Sequence, residues 1–249
     1  MGGTVIQVGP LLAVVLVLLT VTASLVAHWG RLGVARAMVT AAARAVVQLG
    51  VVSLVIVAVL RSGWLTAGFV LLMYGIAAVT SARRTTAGRS GLLAALPIAA
   101  GAVPVLALIL GTGLVPFRPI AVVPVAGILI GGAMTATSLA GRRALDELSA
   151  RHDEYEARLA LGFTNRQARR DVVRTTAAQA LVPALDQTRT VGLVTLPGAF
   201  VGVLLGGAGP EQAGAAQVLV LIGLLAAETV AVVVVIGLVS VGLLSRQRN

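Results

Sequence analysis

The chain has 249 residues, of which 58% are hydrophobic and only 11% charged, and its mean hydropathy is +1.00. A soluble domain carries roughly 25% charged residues, so this composition excludes a water-soluble globular protein and implies a polytopic membrane protein. The formal charge is +10, every one of the nineteen basic residues is arginine, and cysteine is absent. Without lysine the chain cannot be a P-loop ATPase or a Schiff-base enzyme. Without cysteine it has no disulfide, thiolate metal site or cysteine nucleophile, and two histidines, His28 and His152, are too few for a histidine-built metal cage.

A spanning helix needs about 20 apolar residues. The first candidate, residues 8–27, is interrupted only by Thr20, Thr22 and Ser24. No basic residue precedes it and its apolar core is longer than a signal-peptide core, so it is expected to remain as a span. An alanine-rich stretch with Arg31, Arg36 and Arg44 leads into a second span at 39–60. The third, 64–80, is closed by Arg83, Arg84 and Arg89, and the fourth, 91–113, contains Pro97 and Pro104, each of which removes a backbone donor. The fifth runs over 120–140. Residues 141–174 then hold half the charged residues of the chain. A lead-in with Pro183, Asp186 and Arg189 precedes a sixth apolar segment at 191–205, where Thr195-Leu196-Pro197-Gly198 predicts a break or kink. The seventh span covers 216–244, before the tail Arg246-Gln247-Arg248-Asn249.

The expected fold class is therefore all-α, an integral membrane bundle of about seven transmembrane helices. Seven spans put the termini on opposite sides. If the loops after spans one, three and five and the C-terminal tail are cytoplasmic, seventeen arginines lie on that side and only Arg61 and Arg118 lie outside. The positive-inside rule then gives N-terminus out and C-terminus in. The basic excess is explained by topology beside anionic membrane lipids, without a nucleic-acid partner.

Within the charged segment, Leu159 and Leu161 lead to Gly162, a residue that tolerates the left-handed backbone of a helix C′ position. Thr164 with Gln167 matches the capping box that opens a new helix. The pattern predicts a short helix, a corner and a second helix returning to the bilayer, a shape suited to receiving force from a partner. It also fits a solvated amphipathic hairpin that merely obeys the positive-inside rule.

The same residues resemble a known family. Glu156-Ala157, with Gly162 six residues after the glutamate, resembles the Glu-Ala-Ala-x3-Gly signature of ABC-transporter permeases, whose short cytoplasmic coupling helix docks on the ATPase. Residues ALGFTNRQA (160–168), LVPALDQTRTVGLVTLPGAFVGVLLGGAGPEQAGAAQ (181–217), GILIGGAMTATSLAGRRALDEL (127–148) and ARAVVQLGVVSLVI (43–56) resemble the iron-export permease family, the FetB family, related to plant aluminium-tolerance permeases. Departures from the pattern are Arg158 for the second alanine, Thr175 for the closing proline, Gly132 for the family's Asn in span five, and Glu228 where relatives carry small or weakly polar residues.

The resemblance implies one permease domain over 1–249 in the bacterial cytoplasmic membrane, with 141–175 as the coupling loop. It would work as a homodimer with a separate ABC ATP-binding subunit. ATP-Mg would sit on that partner, and this chain would bind no cofactor and catalyse nothing itself. The implied cargo is a metal ion, iron in the family's own case, moving outward.

The residues expected at the ATPase contact are Glu156, Ala157, Leu161, Gly162, Thr164 and Gln167. Those assigned to a pathway or to packing are Arg44, Gln48, Met134, Thr135, Pro197, Gly198 and Glu228. Several carry two readings. Arg44 and Gln48 share a face of span two, and Arg44 either snorkels to headgroups or meets solute. The spacings Gly127-x3-Gly131 and Gly198-x3-Gly202-x3-Gly206 suit close helix approach, within one subunit or between two. Glu228 near the middle of span seven would cost about 2.5–3.5 kcal/mol as a lipid-facing charge, so it faces the bundle interior or water, or stays protonated. The rival to a permease is an ATP-independent channel or scaffold. An intramembrane serine protease is disfavoured because neither histidine falls within a span.

Overall fold

The computed structural model describes residues 8–86 and 88–245, so the tail from Arg246 to Asn249 lies outside the described residues. Those residues form α-helices joined by short turns, two 3-10 segments and an isolated bridge between Val191 and Thr195. Six helices are long and apolar enough to cross a membrane. The protein is an all-α, polytopic integral membrane helix bundle.

The chain divides into two compact units, residues 1–61 and 62–249. The first is a hairpin of α1 (Pro10–Trp29) and α2 (Ala35–Arg61). Pro10 stands at the first turn of α1, where its missing N–H costs nothing. The turn between the helices uses Arg31 at φ +52° and Gly33 at φ +71°. Helix α2 begins earlier than hydropathy predicts, taking Arg36 into its first turn.

In the second unit, α3 (Gly63–Thr85), α4 (Ala95–Gly111), α5 (Pro119–Ala150) and α10 (Pro210–Ser240) build the bundle. A 3-10 segment, Arg89–Ala94, leads into α4 and places Pro97 in its first turn, so only Pro104 lies in the helix interior. Small residues set the helix spacing. Gly101 of α4 lies against the backbone of Ala227 so closely that no side chain fits there, and Val105 and Ile109 approach Gly223 one and two turns along. Helices α4 and α10 are thus antiparallel. Between α3 and α5 the contacts run Met73 to Gly127, Ser81 to Ser138 and Thr85 to Gly141, which makes that pair parallel. The Ser138 hydroxyl donates to Ser81 Oγ at 3.0 Å, satisfying a buried polar pair.

Helices α5 and α10 are also parallel. Val125, Ala126, Leu129 and Ala133 share one apolar cluster with Val220, Leu224, Ala227 and Ala231, while Ala136, Ala140, Ala144 and Leu145 share the next with Val232, Val235 and Val239. Two parallel helices require the chain to return between them. This return is where the expected sixth span is corrected, because 191–205 is not a continuous helix. The chain comes back in pieces, through α6 (His152–Ala160), α7 (Asn165–Ala178), α8 (Val182–Thr190) and α9 (Gly198–Leu205). Helix α9 has eight residues, about 12 Å of rise, far short of a hydrocarbon core of about 30 Å.

The break has local causes. Gly192 adopts φ +81°, its N–H donates to Thr195 O at 2.9 Å, and Pro197 supplies an extended N-cap to α9. The direction of travel is fixed by two contacts with α10. Arg169 of α7 lies against Gly242, just past the C-terminal end of α10, and the Phe200 N–H of α9 donates to Gln217 Oε1 near its N-terminal end at 3.2 Å. The segmented leg therefore runs antiparallel to α10.

The fifth helix also differs from expectation. It does not stop at residue 140 but continues to Ala150, so 141–150 is helix rather than loop. Thirty-two residues give about 48 Å, and the charged last turns carry Arg142, Arg143, Asp146 and Glu147 beyond the apolar layers. The C-terminal ends of α3, α5 and α10 meet at this end of the bundle, where the Thr86 and Ser90 hydroxyls donate to Ser245 O at 3.5 and 3.0 Å.

Reporter fusions check the segmented return. Fusions after Gly113 and after Gly209 should report one side of the membrane and a fusion after Ser149 the other. Opposite signals from Gly113 and Gly209 would mean that the leg through α8 and α9 does not cross.

Candidate functional site: a charged hairpin and a buried acid

Helix α6 starts with Asp153 and Glu154 in its first turn and ends with Arg158 in its last, the order that favours the helix dipole. Its end is a Schellman motif, with Phe163 N–H on Arg158 O at 3.1 Å and Gly162 N–H on Leu159 O at 2.9 Å. Gly162 takes φ +91°, a conformation that strains any residue with a Cβ. Two residues later the capping box closes. Thr164 N–H donates to Gln167 Oε1 at 2.9 Å, and Gln167 N–H donates to Thr164 Oγ1 at 3.3 Å. The corner expected from Gly162, Thr164 and Gln167 is present. Glu156, Ala157 and Leu161 project outward beside it, all exposed.

Ion pairs hold this hairpin. Arg151 pairs with Glu147 of α5 at 3.3 Å and with Glu154, Arg158 pairs with Glu154, and Arg158 Nε reaches Asp171 of α7 at 4.0 Å. Exposed pairs of this kind contribute little stability singly, but here they join the end of α5, α6 and α7 in one network. The hydrogen bond from Arg158, with the charges of Arg151 and Arg158, holds the Glu154 carboxyl below its ordinary value. The network is therefore intact through the neutral range and is lost as acid protonates the carboxylate below that value. His152 stacks on Tyr155 and brings Nε2 to 3.1 Å from Glu156 Oε1.

The second feature lies inside the bundle. Glu228 of α10 is 8% exposed, and its carboxylate rests against Gly132 of α5. A methyl group at Gly132 would stand 2.7 Å from Glu228 Oε1 and would overlap Leu224. The two departures noted separately in the sequence are thus one contact, with glycine on α5 leaving room for the acid of α10. Among the described residues no group of three or more His, Asp or Glu side chains is placed to hold a metal ion.

The remaining expected residues are dispersed. Met134 packs beside the first core cluster, and the exposed Thr135 donates to Gly131 O at 3.0 Å. Pro197 and Gly198 mark the start of α9, and neither Gly198 nor Gly202 has a neighbour at its Cβ position. Gly127 is already used inside the chain, facing Met73. Arg44 and Gln48 belong to the first unit, where they line an open groove on α2 with Ala43 and Val47.

Sequence reasoning missed Gln217. Pro197 has no side-chain acceptor with which to cap α9, and the buried Gln217 side chain supplies one from α10. It missed Arg169 as well, whose guanidinium lies 5.8 Å from the Tyr155 ring centre and whose Nη1 touches Gly242.

The contact at Gly132 is open to a double-mutant cycle. Gly132→Ala should destabilise the detergent-solubilised protein by roughly 1–3 kcal/mol through overpacking, and Glu228→Ala should recover part of that loss. Thermal unfolding of the four variants measures it, and strictly additive effects would show that the two positions do not touch.

Comparison with known proteins agrees with an integral membrane protein. No solved structure matches the chain. The chain is 36% identical over 204 residues to UPF0014 membrane protein STAR2 of Oryza sativa subsp. japonica, covering 80% of this chain and 71% of the relative. It is 34% identical over 228 residues to Protein ALUMINUM SENSITIVE 3 of Arabidopsis thaliana, with 90% and 82% covered. To the probable iron export permease protein FetB of Escherichia coli (strain K12) it is 29% identical over 220 residues, with 87% and 85% covered. The model of the uncharacterised protein family UPF0014 matches residues 10–243. From the first apolar helix to the turn after the last, this chain belongs to the UPF0014 family of membrane proteins.

Proposed function

We propose that this protein is the membrane-spanning permease subunit of an ABC transporter, driven by ATP hydrolysis on a separate ATP-binding subunit. The observation that carries the reading is the α6–α7 hairpin, a short helix held outside the apolar layers by a left-handed corner, a capping box and an ion-pair network. Such an element is rigid enough to pass on a push, and it presents Glu156, Ala157 and Leu161 to a partner. Similarity to a probable iron export permease supports the same reading.

The chain crosses the bacterial cytoplasmic membrane seven times in this reading, six times as a continuous helix and once through the segmented leg. Arg83, Arg84, Arg142, Arg143 and the hairpin arginines lie at one end of the second unit, and Arg118 at the other, so the charged end is cytoplasmic. The working assembly is a homodimer with two ATP-binding subunits. Gly198 and Gly202 of α9, open within one chain, offer a surface on which two copies approach closely. ATP-Mg is bound and hydrolysed on the partner.

The cargo is a metal cation moved outward, iron being the case that the bacterial relative's name suggests. With no preassembled cage among the described residues, such an ion would pass by Glu228 and backbone carbonyls rather than settle in a tight site. Weak, open ligation suits transport, because a cargo held too firmly does not leave.

Two variants test the coupling. Gly162→Val forces a β-branched residue into φ +91° and should misdirect the corner, while Ala157→Trp should block docking. Both should insert normally, since no long apolar helix is altered, and both should lose partner co-purification or the link between ATP turnover and metal flux. In the same preparation Glu228→Gln should change flux and leave partner binding intact. Wild-type values for Gly162→Val and Ala157→Trp in all three readouts would refute the coupling role, and unchanged flux in Glu228→Gln would remove that residue from the pathway.

A further inference from the structure

Helix α10 is fastened at both ends to the chain that returns beside it. At its C-terminal end Gly242, at φ +79°, closes a Schellman motif in which Leu243 N–H donates to Leu238 O at 3.0 Å. Arg169 of α7 sits on this cap. A methyl at Gly242 would stand 2.5 Å from Arg169 Nη1, the guanidinium faces the Tyr155 ring of α6, and its buried Nε has no hydrogen-bond partner. A cation here meets the negative end of the helix dipole. Tyr155 in turn donates its hydroxyl to Asn165 Oδ1 at 2.5 Å, joining α6 to the start of α7. The guanidinium is therefore wedged among three helices and held by packing and electrostatics rather than by a saturated set of hydrogen bonds.

At the opposite end Gln217 accepts the Phe200 N–H and caps α9. Between the two fastenings lies uninterrupted helix. From Gln217 to Ser240 there is no proline, and Ala227 is seated on Gly101 and Leu224 on Gly132, so the middle is tightly packed. Twenty-four residues of such helix span about 36 Å.

We infer that α10 is a second output of the hairpin: Arg169 is a positioning residue that passes displacement of α6 and α7 into α10, and Gln217 delivers it to the broken segment at α9. The inference rests on the permease reading for its purpose, but the mechanical link belongs to this chain alone. Arg169 meets no cargo and sits away from the exposed face of Glu156 and Ala157. The guanidinium suits the position because it stands over the Tyr155 ring at 5.8 Å from its centre while Nη1 reaches the cap, which the point charge of a lysine would not do.

The absence of native cysteine allows a direct test. A single cysteine at Val201, 40% exposed on α9, is labelled in the full-length protein in nanodiscs with a soluble maleimide, and its reaction rate is followed. Arg169→Gln should change that rate on the order of three- to tenfold, a coupling of the size seen between linked sites. Gln217→Leu should change it directly, and adding Arg169→Gln to Gln217→Leu should then have no further effect. Gly242→Ala, which displaces the guanidinium but keeps the arginine, provides the same comparison if Arg169→Gln folds poorly, as judged by size exclusion. A Val201 rate unaltered by both Arg169→Gln and Gly242→Ala, or independent effects of Arg169→Gln and Gln217→Leu, would overturn the inference. No ATPase enters this measurement. Failure of the wild-type protein to bind an ATP-binding subunit would sink the permease reading and leave the labelling result standing.

Discussion

The parallel alignment of α5 and α10 is the constraint from which the rest of the second unit follows. It is set where Gly132 admits the side chains of Leu224 and Glu228, while on the adjacent face of α10 Gly101 admits the backbone of Ala227. Close approach of this kind substitutes for the hydrophobic driving force that helices lack in lipid. Once the two helices point the same way, the 59 residues 151–209 must travel out beyond one end of the bundle and come back to the other. The outward excursion is the charged hairpin, and the way back is the broken leg. The charged hairpin and the interrupted return leg are thus two consequences of one packing arrangement.

The broken leg is tolerable because hydrogen bonds close its breaks, although residues 192–196 themselves are exposed. Unpaired N–H and C=O groups in hydrocarbon cost several kcal/mol each. The turn at 191–197 closes internally through Gly192 and Thr195, and the first turn of α9 takes its acceptor from Gln217. Interrupted helices line pathways in transporters because they expose backbone groups at depth. Here the interruption lies beside the helix that carries the buried acid.

Legibility in the sequence tracked the range of the interactions. The corner at Gly162 was readable because a left-handed residue followed by Thr164 and Gln167 is local chemistry, complete within six residues. Six of the seven apolar stretches were readable as spanning helices from hydropathy and length. The sixth, 191–205, is apolar enough for a span and Pro197 announces a break, but a hydropathy window cannot tell a kinked helix from separate pieces. The onset of charge at 141 suggests the end of helix five ten residues early, whereas charge ends only the immersion of α5 in lipid. Gly132 and Glu228 were each conspicuous alone, yet their contact spans 96 positions and needs the parallel pairing to be known. Gln217 and Arg169 gave no local signal, since a glutamine near a helix start and an arginine in a basic helix both read as solvated. The one available clue to Gln217 was negative, a proline N-cap that cannot cap.

The central claim is that this chain moves a solute with energy from a partner's ATP hydrolysis. The most direct measurement is flux in proteoliposomes containing the wild-type chain and its ATP-binding subunit, across a panel of divalent metals and uncharged solutes, with and without ATP-Mg. The account expects metal movement toward the face opposite the α6–α7 hairpin, dependent on ATP hydrolysis and on both subunits. Flux that proceeds equally without ATP, or from this chain alone, would identify a channel and contradict it.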